Sequence, residues 1–144
     1  MACYADTSVI VAYYGNDALS QQAQALVRAL GKPLLFTALH RLEVKTALKL
    51  AVFRGRRTPS EAEASLRQLS VDVRSRKLRG ARLDWERVFR AAARMGWAQS
   101  AQHGVRSFDV LHVAAALALG QREFLSFDTR QRALAQAVGL TVLP

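Results

Sequence analysis

The sequence predicts an α/β fold in which a central parallel sheet of four to five strands is covered by helices on both faces. Short apolar runs alternate with longer segments of helical periodicity, a pattern typical of parallel strands joined by helical crossovers. The length of 144 residues is enough for one domain with a well-buried core. We therefore expect residues 1–144 to form a single domain.

The first half of the chain contains two predicted strands, and a helix follows each of them. The first strand, Ala2–Ala5, ends in the polar break Asp6-Thr7-Ser8. Thr58-Pro59-Ser60-Glu61 has the spacing of a capping box with proline at the first helical position, which is a strong helix start. The other predicted elements are strand Leu34–Phe36 and helices Val9–Tyr14, Ala18–Leu30, Ala38–Arg54 (capped by Thr37) and Pro59 to the mid-70s.

The second half is organised around the apolar stretch Val105–Leu119. This stretch predicts a helix that is buried on nearly all sides and capped by Ser107. It is shorter than the roughly 18 residues that a membrane-spanning helix needs. The remaining predicted elements are helix Trp85–Met95 after Asp84, a loop or broken helix at 96–104, strand Glu123–Phe127, helix Thr129–Val138 after Asp128, strand Leu140–Leu143, and a short strand at 81–83 with few supporting residues.

The composition favours a protein that binds polyanions. Twenty-one Lys and Arg against eleven Asp and Glu give a net charge of +10, and arginine suits bidentate contacts to phosphate. The same excess would also suit an acidic protein partner, or would only maintain solubility. The single cysteine, Cys3, excludes an internal disulfide, and no leader-like or membrane-spanning stretch is evident, so we expect a cytoplasmic location.

Four carboxylates interrupt the apolar pattern. Asp6 and Asp128 follow predicted strands, Glu43 lies in an apolar part of its helix, and Asp109 opens the apolar helix. In doubly wound folds, the carboxyl ends of the strands and the adjoining helix starts surround the ligand crevice. Clustered carboxylates repel one another unless a cation intervenes, and oxygen ligands favour Mg²⁺ or Mn²⁺ over zinc. The four acids therefore predict a site for a divalent cation.

Each acid also has a purely structural explanation. Asp6 and Asp128 could be helix N-caps, with Gln131 at a capping-box-like spacing from Asp128. Asp109 would gain about 0.3–1 kcal/mol from the helix dipole without any metal. Glu43 could pair with a remote arginine. These explanations suffice one at a time, but four acids at matching ends of alternating elements favour a common site.

Four motifs occur in order along the chain: Asp6-Thr7-Ser8, Arg41-Leu42-Glu43, the run R-S-F-D-V-L-H-V-A from Arg106 to Ala114, and F-L-S-F-D from Phe124 to Asp128. Together they resemble a PIN domain, and their spacing and the chain length are similar to those of VapC toxins from bacterial toxin–antitoxin pairs. The resemblance covers essentially the whole chain. The run around Asp109 is the most specific of the four motifs.

The resemblance implies an endoribonuclease that depends on Mg²⁺, with Mn²⁺ as a possible substitute, and that hydrolyses phosphodiester bonds through metal-activated water. Its acid quartet would be Asp6, Glu43, Asp109 and Asp128, with Asp6 and Asp109 at the positions most directly tied to metal. Ser126 matches a family position near the site that often holds Thr or Ser. Arg106 and Arg130 flank the acids and could either hold RNA phosphates or form salt bridges with the quartet. Thr7 and Ser107 are further candidates for supporting or substrate-binding roles.

The resemblance also implies an RNA substrate, a cognate antitoxin and a homodimer, and no membrane partner. A non-catalytic RNA-binding or regulatory PIN-like domain is the main alternative. A receiver-type domain is a further one, although the chain lacks the adjacent acid pair and the later lysine of such domains. His112 is expected to be a satisfied core residue, and four aromatic residues are expected to be core or dimer contacts rather than base-stacking platforms: Phe53, Trp85, Phe89 and Trp97.

Overall fold

The computed structural model describes all 144 residues, which divide into two compact units. Unit 1 contains residues 1–2 and 7–81, and unit 2 contains residues 3–6 and 82–144. Every strand pairing is parallel, which confirms the predicted α/β fold. The five strands form one sheet of three strands and another of two, so the larger sheet has slightly fewer strands than the four to five expected. No helix combines the length and the apolar character needed to cross a membrane.

Unit 1 contains a two-stranded sheet and four helices. The strands pair in register Leu34 with Leu78, and both of these side chains are buried. The first helix packs against the second and third, and the fourth packs against the third helix and the second strand of the pair. In chain order the elements are α1 (Thr7–Tyr13), α2 (Ala18–Leu30), β2 (Leu34–Phe36), α3 (Ala38–Phe53), α4 (Pro59–Arg74) and β3 (Leu78–Gly80), where β1 belongs to unit 2.

The ends of the unit 1 helices follow local chemistry. Thr37 and Thr58 cap α3 and α4 as predicted, each accepting a hydrogen bond from the backbone N–H three residues later. Asp17 caps α2 in the same way through Ser20. Gly31 ends α2 in the left-handed conformation, with φ of 64°, which glycine adopts without steric cost.

Strand β3 differs from the prediction in position. It covers Leu78–Gly80, whereas the sequence suggested 81–83. Leu78 is the one apolar residue of this strand, and it is 5% exposed. Hydrophobic periodicity cannot indicate a strand with a single buried side chain, and pairing with β2 supplies the backbone hydrogen bonds that stabilise it.

Unit 2 contains the three-stranded sheet in the order β1-β4-β5 and three helices. The middle strand, β4, pairs with β1 through Ala5 and Leu125, and with β5 through Leu125 and Leu143. The elements are β1 (Tyr4–Ala5), α5 (Trp85–His103), α6 (Ser107–Ala118), β4 (Glu123–Leu125), α7 (Thr129–Ala137) and β5 (Thr141–Leu143).

Helix α6 forms the core of unit 2. Every residue from Val110 to Ala116 is buried, which agrees with the prediction of a helix buried on nearly all sides. Phe108 and Leu117, at its two ends, are 47% and 38% exposed. Helices α5 and α7 both pack against α6.

Two helix boundaries in unit 2 were predicted wrongly. Helix α5 continues through Gly96 to His103 instead of ending at Met95. Gly96 lies against α6, where an added Cβ would be 3.9 Å from Val110 Cγ1, so packing offsets the roughly 1 kcal/mol that glycine costs in a helix. Ser107 is the first residue of α6 and not its cap, since Arg106 has the extended backbone of the N-cap position.

Candidate functional site

The parallel pairing of β1 and β4 places Asp6 and Ser126 beside each other. Ala5 and Leu125 are register partners, and Asp6 and Ser126 are the next residue of each strand. The backbone N–H of Asp6 donates a 2.8 Å hydrogen bond to the Leu125 carbonyl oxygen, which extends the pairing by one step. The chain leaves the sheet at this point, so both side chains lie at the carboxyl ends of adjacent strands, where ligand crevices form in such folds.

Asp109 lies in the first turn of α6 and is half-buried. Its Oδ2 accepts a 3.2 Å hydrogen bond from the backbone N–H of Arg106. Burial raises the pKa of the Asp109 carboxyl, the hydrogen bond from Arg106 opposes that shift, and the nearby carboxylates of Asp6 and Asp128 raise the pKa further. Three of the four predicted acids therefore interact electrostatically within unit 2.

Asp128 is the N-cap of α7. Its Oδ1 accepts hydrogen bonds from the backbone N–H groups of Arg130 and Gln131, at 2.8 and 3.0 Å. The structural explanation for this acid is thus correct, and it does not exclude a functional one, because the carboxylate is exposed and acts on the pKa of Asp109.

Gln131 lies at the centre of this group of acids, although the sequence indicated only its spacing from Asp128. Its side chain is fully buried. The amide Nε2 donates to Asp6 Oδ1 at 3.0 Å and to the Asp109 carbonyl oxygen at 3.3 Å, and Oε1 accepts from the Ser126 hydroxyl at 2.6 Å. The sequence signal that could have identified Gln131 was a long polar side chain in the first turn of a helix, three residues after a predicted site acid.

A second buried polar pair lies behind Asp6. The hydroxyl of Tyr4 and Nδ1 of His112 are hydrogen-bonded at 2.9 Å, and both side chains are almost completely buried. His112 Nε2 lies 3.8 Å from Asp6 Oδ1, a separation too long for a hydrogen bond. This geometry agrees with the interpretation of His112 as a core residue, while showing that its ring contacts the site.

The fourth predicted acid, Glu43, belongs to unit 1. It lies in α3 and is half-buried. Its Oε1 accepts a 2.8 Å hydrogen bond from the hydroxyl of Thr7, a buried residue of α1 and the residue that follows Asp6 in the chain. The hydrogen bond fixes the direction of the Glu43 side chain relative to the start of α1.

The predicted supporting residues fall into two groups. Thr7 and Ser126 are buried and hydrogen-bonded to other predicted residues or to their neighbours, so they orient side chains. Arg106, Ser107 and Arg130 are exposed, which leaves them accessible to a polyanion.

The donors in unit 2 fit a hard divalent cation chemically. The acids Asp6, Asp109 and Asp128 offer carboxylate oxygens, the ligands that Mg²⁺ and Mn²⁺ prefer, and no cysteine competes for the ion. Burial first, and then the carboxylates of Asp6 and Asp128, raise the pKa of Asp109, and a bound cation would favour its ionised form. No three or more His, Cys, Asp or Glu side chains already form an arrangement that could hold an ion, so binding requires the carboxylates to turn toward a common point.

Comparison with known proteins identifies a family. The sequence model of the PIN domain family matches residues 3–137 of the chain. Among solved structures, the crystal structure of PAE2754 from Pyrobaculum aerophilum is similar, with a TM-score of 0.63 and 16% sequence identity over 99% of this chain and 92% of that one. At this identity the likeness concerns the fold. No curated protein matches significantly.

Proposed function

This chain belongs to the PIN domain family, and we propose that it is a metal-dependent endoribonuclease of the VapC toxin type. PIN domains are typically nucleases, which supports nuclease activity at a coarse level, and PIN nucleases act on RNA and generally use divalent metals. Metal dependence in this chain, endonucleolytic cleavage of RNA and the role of a toxin are parts of the proposal.

One observation supports the proposal above the others. The carboxylates of Asp6 and Asp128 both raise the pKa of Asp109, although the three residues come from the start, the end and the middle of unit 2. A protein rarely retains mutually repelling carboxylates beside a buried helix unless they bind something. The +10 net charge of the chain supplies the complementary attraction for RNA.

The proposed roles combine the family resemblance of the four acids with the contacts of the side chains within each unit. Asp6 and Asp109 would hold Mg²⁺ or Mn²⁺, and Asp128 and Glu43 would complete the acid quartet. The cation, when bound, would activate water and neutralise charge on the leaving 3′-oxygen. The exposed Arg106 and Arg130 would bind RNA phosphates on either side of the scissile bond, and Ser126 and Thr7 would hold their neighbours in position.

Incubation of the purified chain with total RNA, with and without Mg²⁺, tests this function. We expect cleavage only with the metal, and products that carry 5′-phosphate and 3′-hydroxyl ends. Asp109→Asn should abolish cleavage and keep the far-UV circular dichroism spectrum. Metal-independent cleavage, or 2′,3′-cyclic phosphate ends, would exclude the mechanism. Binding of RNA without any cleavage would favour the non-catalytic alternative.

The toxin assignment requires an antitoxin, which we propose to be an acidic protein. The strongly basic composition provides the charge for such a partner. Co-expression with a short acidic protein encoded beside this chain should produce a stable complex in which RNA cleavage is inhibited. Unchanged cleavage in the presence of that protein would contradict the toxin assignment without affecting the nuclease proposal.

We also propose a homodimer, with helix α5 as the contact. Phe89, Ala93 and Trp97 recur every four residues on one side of this helix, and Trp97 is 93% exposed and Phe89 56% exposed. Of the two expectations for these aromatic residues, core or dimer contact, the exposure excludes the core for Phe89 and Trp97, and also for Phe53, which is 87% exposed. Exposed apolar surface of this kind favours a protein contact.

A second copy of the same chain suits this apolar surface, because in a two-fold dimer the same surface contacts itself. Two antiparallel α5 helices that cross at Ala93 would place Trp97 of one copy beside Phe89 of the other. Glu86 and Arg90, which are paired at 3.1 Å within α5, would then lie toward the edge of the contact.

A further inference from the structure

We infer that Gln131 is a positioning residue, whose buried amide fixes Asp6 and the backbone of the first turn of α6 beside the proposed cation site. The inference rests on the proposed function, because it concerns the same acids. It goes beyond that proposal by assigning a specific task to a neutral residue that is not among the acids or the supporting residues considered above.

The hydrogen bonds of Gln131 reach all three acids of unit 2, Asp6, Asp109 and Asp128. Its Nε2 contacts Asp6, which follows β1, and the carbonyl oxygen of Asp109 in α6. Its Oε1 contacts Ser126, which follows β4, while its backbone N–H donates to Asp128. One side chain, with its own peptide nitrogen, thus connects a strand end, a helix start and the β4–α7 connection.

The orientation of this amide is determined by its neighbours. An ionised carboxylate and a backbone carbonyl can only accept hydrogen bonds, so Nε2, which carries the two donors, must face Asp6 and Asp109. The Ser126 hydroxyl accepts from the backbone N–H of Asp128 at 3.1 Å and donates its own hydrogen to Oε1 at 2.6 Å. A flipped amide would place Oε1 against Oδ1 of Asp6 and the carbonyl oxygen of Asp109, and none of these oxygens can donate a hydrogen bond. The amide therefore has one arrangement, and it fixes Asp6 Oδ1.

A neutral donor is the appropriate group at this position. A lysine or arginine there would also bind Asp6, but its charge would cancel the negative potential that attracts a cation. Arg132, one residue later, does not act in this way. Its Nη1 donates to the backbone carbonyl oxygens of Ser126 and Leu143, at 2.9 and 2.8 Å. Gln131 thus orders the carboxylate of Asp6 and leaves its charge available.

Gln131 also determines which of the two carboxylates, Asp6 or Asp109, can turn toward an ion. The bond to the Asp109 carbonyl oxygen holds the backbone of the first turn of α6, not the carboxylate, so the Asp109 side chain can turn by breaking its 3.2 Å hydrogen bond from Arg106. We therefore expect Asp6 to be the fixed ligand and Asp109 the one that turns to meet the ion. Groups that orient metal ligands through hydrogen bonds typically change metal affinity by about 10–100-fold when they are removed.

The test compares Mn²⁺ affinity in the full chain, measured by isothermal titration calorimetry without RNA. Gln131→Met keeps the volume of the side chain and removes its three hydrogen bonds, and we expect Mn²⁺ to bind about 10–100-fold more weakly. Gln136→Met is the matched control, because Gln136 is exposed on the same helix and should bind as the wild type does. A merely structural role would lower the melting temperature of Gln131→Met without changing the Kd for Mn²⁺, and that result would overturn the inference.

A second pair of variants covers the case in which Gln131→Met does not fold. Ser126→Ala removes the hydroxyl that orients the amide, whereas Ser126→Thr retains a hydroxyl. We expect Ser126→Ala to bind Mn²⁺ more weakly and Ser126→Thr to resemble the wild type. Equal affinities for the two folded variants would overturn the inference.

Failure of the proposed function can be distinguished from failure of the positioning role of Gln131. If the wild-type chain neither binds Mn²⁺ nor cleaves RNA, the nuclease proposal is wrong. The positioning of Asp6 is then decided by metal-free crystal structures of the wild type and Ser126→Ala. Loss of the wild-type Asp6 rotamer in Ser126→Ala would support it, and an unchanged Asp6 would overturn it.

Discussion

The hydroxyl of Thr7 donates a 2.8 Å hydrogen bond to Oε1 of Glu43, and this bond joins the start of α1 to the middle of α3. Thr7 is 5% exposed, so its hydroxyl has little access to water as an alternative partner. A buried hydroxyl without a partner is costly, and a carboxylate acceptor makes the bond stronger than one between neutral groups. Stability and the orientation of a predicted site acid thus depend on the same bond.

Thr7→Val should reduce both properties, because valine keeps the shape of threonine and removes the donor. We expect the free energy of unfolding to fall by about 1–3 kcal/mol. We expect RNA cleavage to fall by about 10–100-fold if Glu43 belongs to the acid quartet. Urea denaturation and cleavage rates measure the two effects. Thr7→Ser, which keeps the hydroxyl, is the control, and a stable Thr7→Val variant with full activity would contradict the role of Glu43.

Asp109→Asn should change how stability depends on pH. The pKa of Asp109 is raised in the folded chain, first by burial, so the folded state binds its proton more tightly than the unfolded state does. Stability contributed by this group is therefore greatest below the unfolded pKa, near 3.9, and is lost as the pH rises through the higher folded value. The neutral amide introduced by Asp109→Asn cannot ionise, so the variant avoids this loss.

We therefore expect Asp109→Asn to gain stability relative to the wild type at pH 7, with the gain disappearing near pH 3. Urea denaturation in the presence of EDTA at several pH values measures this difference. Glu63→Gln, at an exposed position of α4, is a suitable control that should show little pH-dependent difference. A difference between Asp109→Asn and the wild type that does not vary with pH would show that the carboxylate is not perturbed.

Tyr14→Phe should destabilise unit 1. The Tyr14 hydroxyl donates a 2.7 Å hydrogen bond to Oδ2 of Asp72, an acid that is only 4% exposed. Burial, followed by this hydrogen bond, holds the pKa of Tyr14 far above its usual range, so the hydroxyl keeps its hydrogen at any ordinary pH. Removing the donor leaves a buried carboxylate with one partner fewer, and we expect a loss of about 1–3 kcal/mol in the free energy of unfolding.

The comparison for Tyr14→Phe is Gln68→Ala. Gln68 also donates to Asp72, at 3.1 Å to Oδ1, but its side chain is exposed and water can replace it. Thermal or urea denaturation should show a smaller loss for Gln68→Ala than for Tyr14→Phe. The opposite order would mean that the tyrosine hydroxyl is not the main partner of Asp72.

Trp97→Ser should weaken the proposed dimer without unfolding the chain, because the indole is 93% exposed and contributes little to the core. Central aromatic residues of an interface often contribute about 2 kcal/mol or more to association, so we expect the dimer dissociation constant to rise about 30-fold or more. Sedimentation velocity measures the change. Leu19→Ser, which alters an exposed apolar residue of α2, should leave association unchanged, and a monomeric wild type would refute the proposed dimer.

The sequence predicted those features of the chain that have strong local or periodic signals. Capping residues such as Thr37, Thr58 and Asp128 fix helix starts through hydrogen bonds within four residues, and the apolar run of α6 identifies the core of unit 2. The extension of α5 beyond Gly96 could not be predicted, because only packing against Val110 makes a glycine acceptable there.

Parts of the site could not be predicted from the sequence for a related reason. The four acids were conspicuous because carboxylates in apolar surroundings are unusual. Gln131 was not conspicuous, since a glutamine in a helix is ordinarily a surface residue. Its proposed positioning role depends on hydrogen-bond partners that are distant in sequence. The site residues themselves remain a prediction, which the hydrogen bonds of Gln131 to Asp6 and Asp109 and the effect of Asp6 and Asp128 on the pKa of Asp109 support.

The pairing of β1 with β4 has a consequence for the timing of synthesis. Gln131, which donates a hydrogen bond to Asp6, is made 125 residues after it, and β1 can pair with β4 only once residues 123–125 exist. Chains grow at about 5–20 residues per second, and the early part of a protein can fold before the rest is made. The three acids of unit 2 therefore cannot assemble on a growing chain until residue 131 has been translated. A nuclease built in this way would be inactive toward RNA, including the message that encodes it, until that point of its own synthesis.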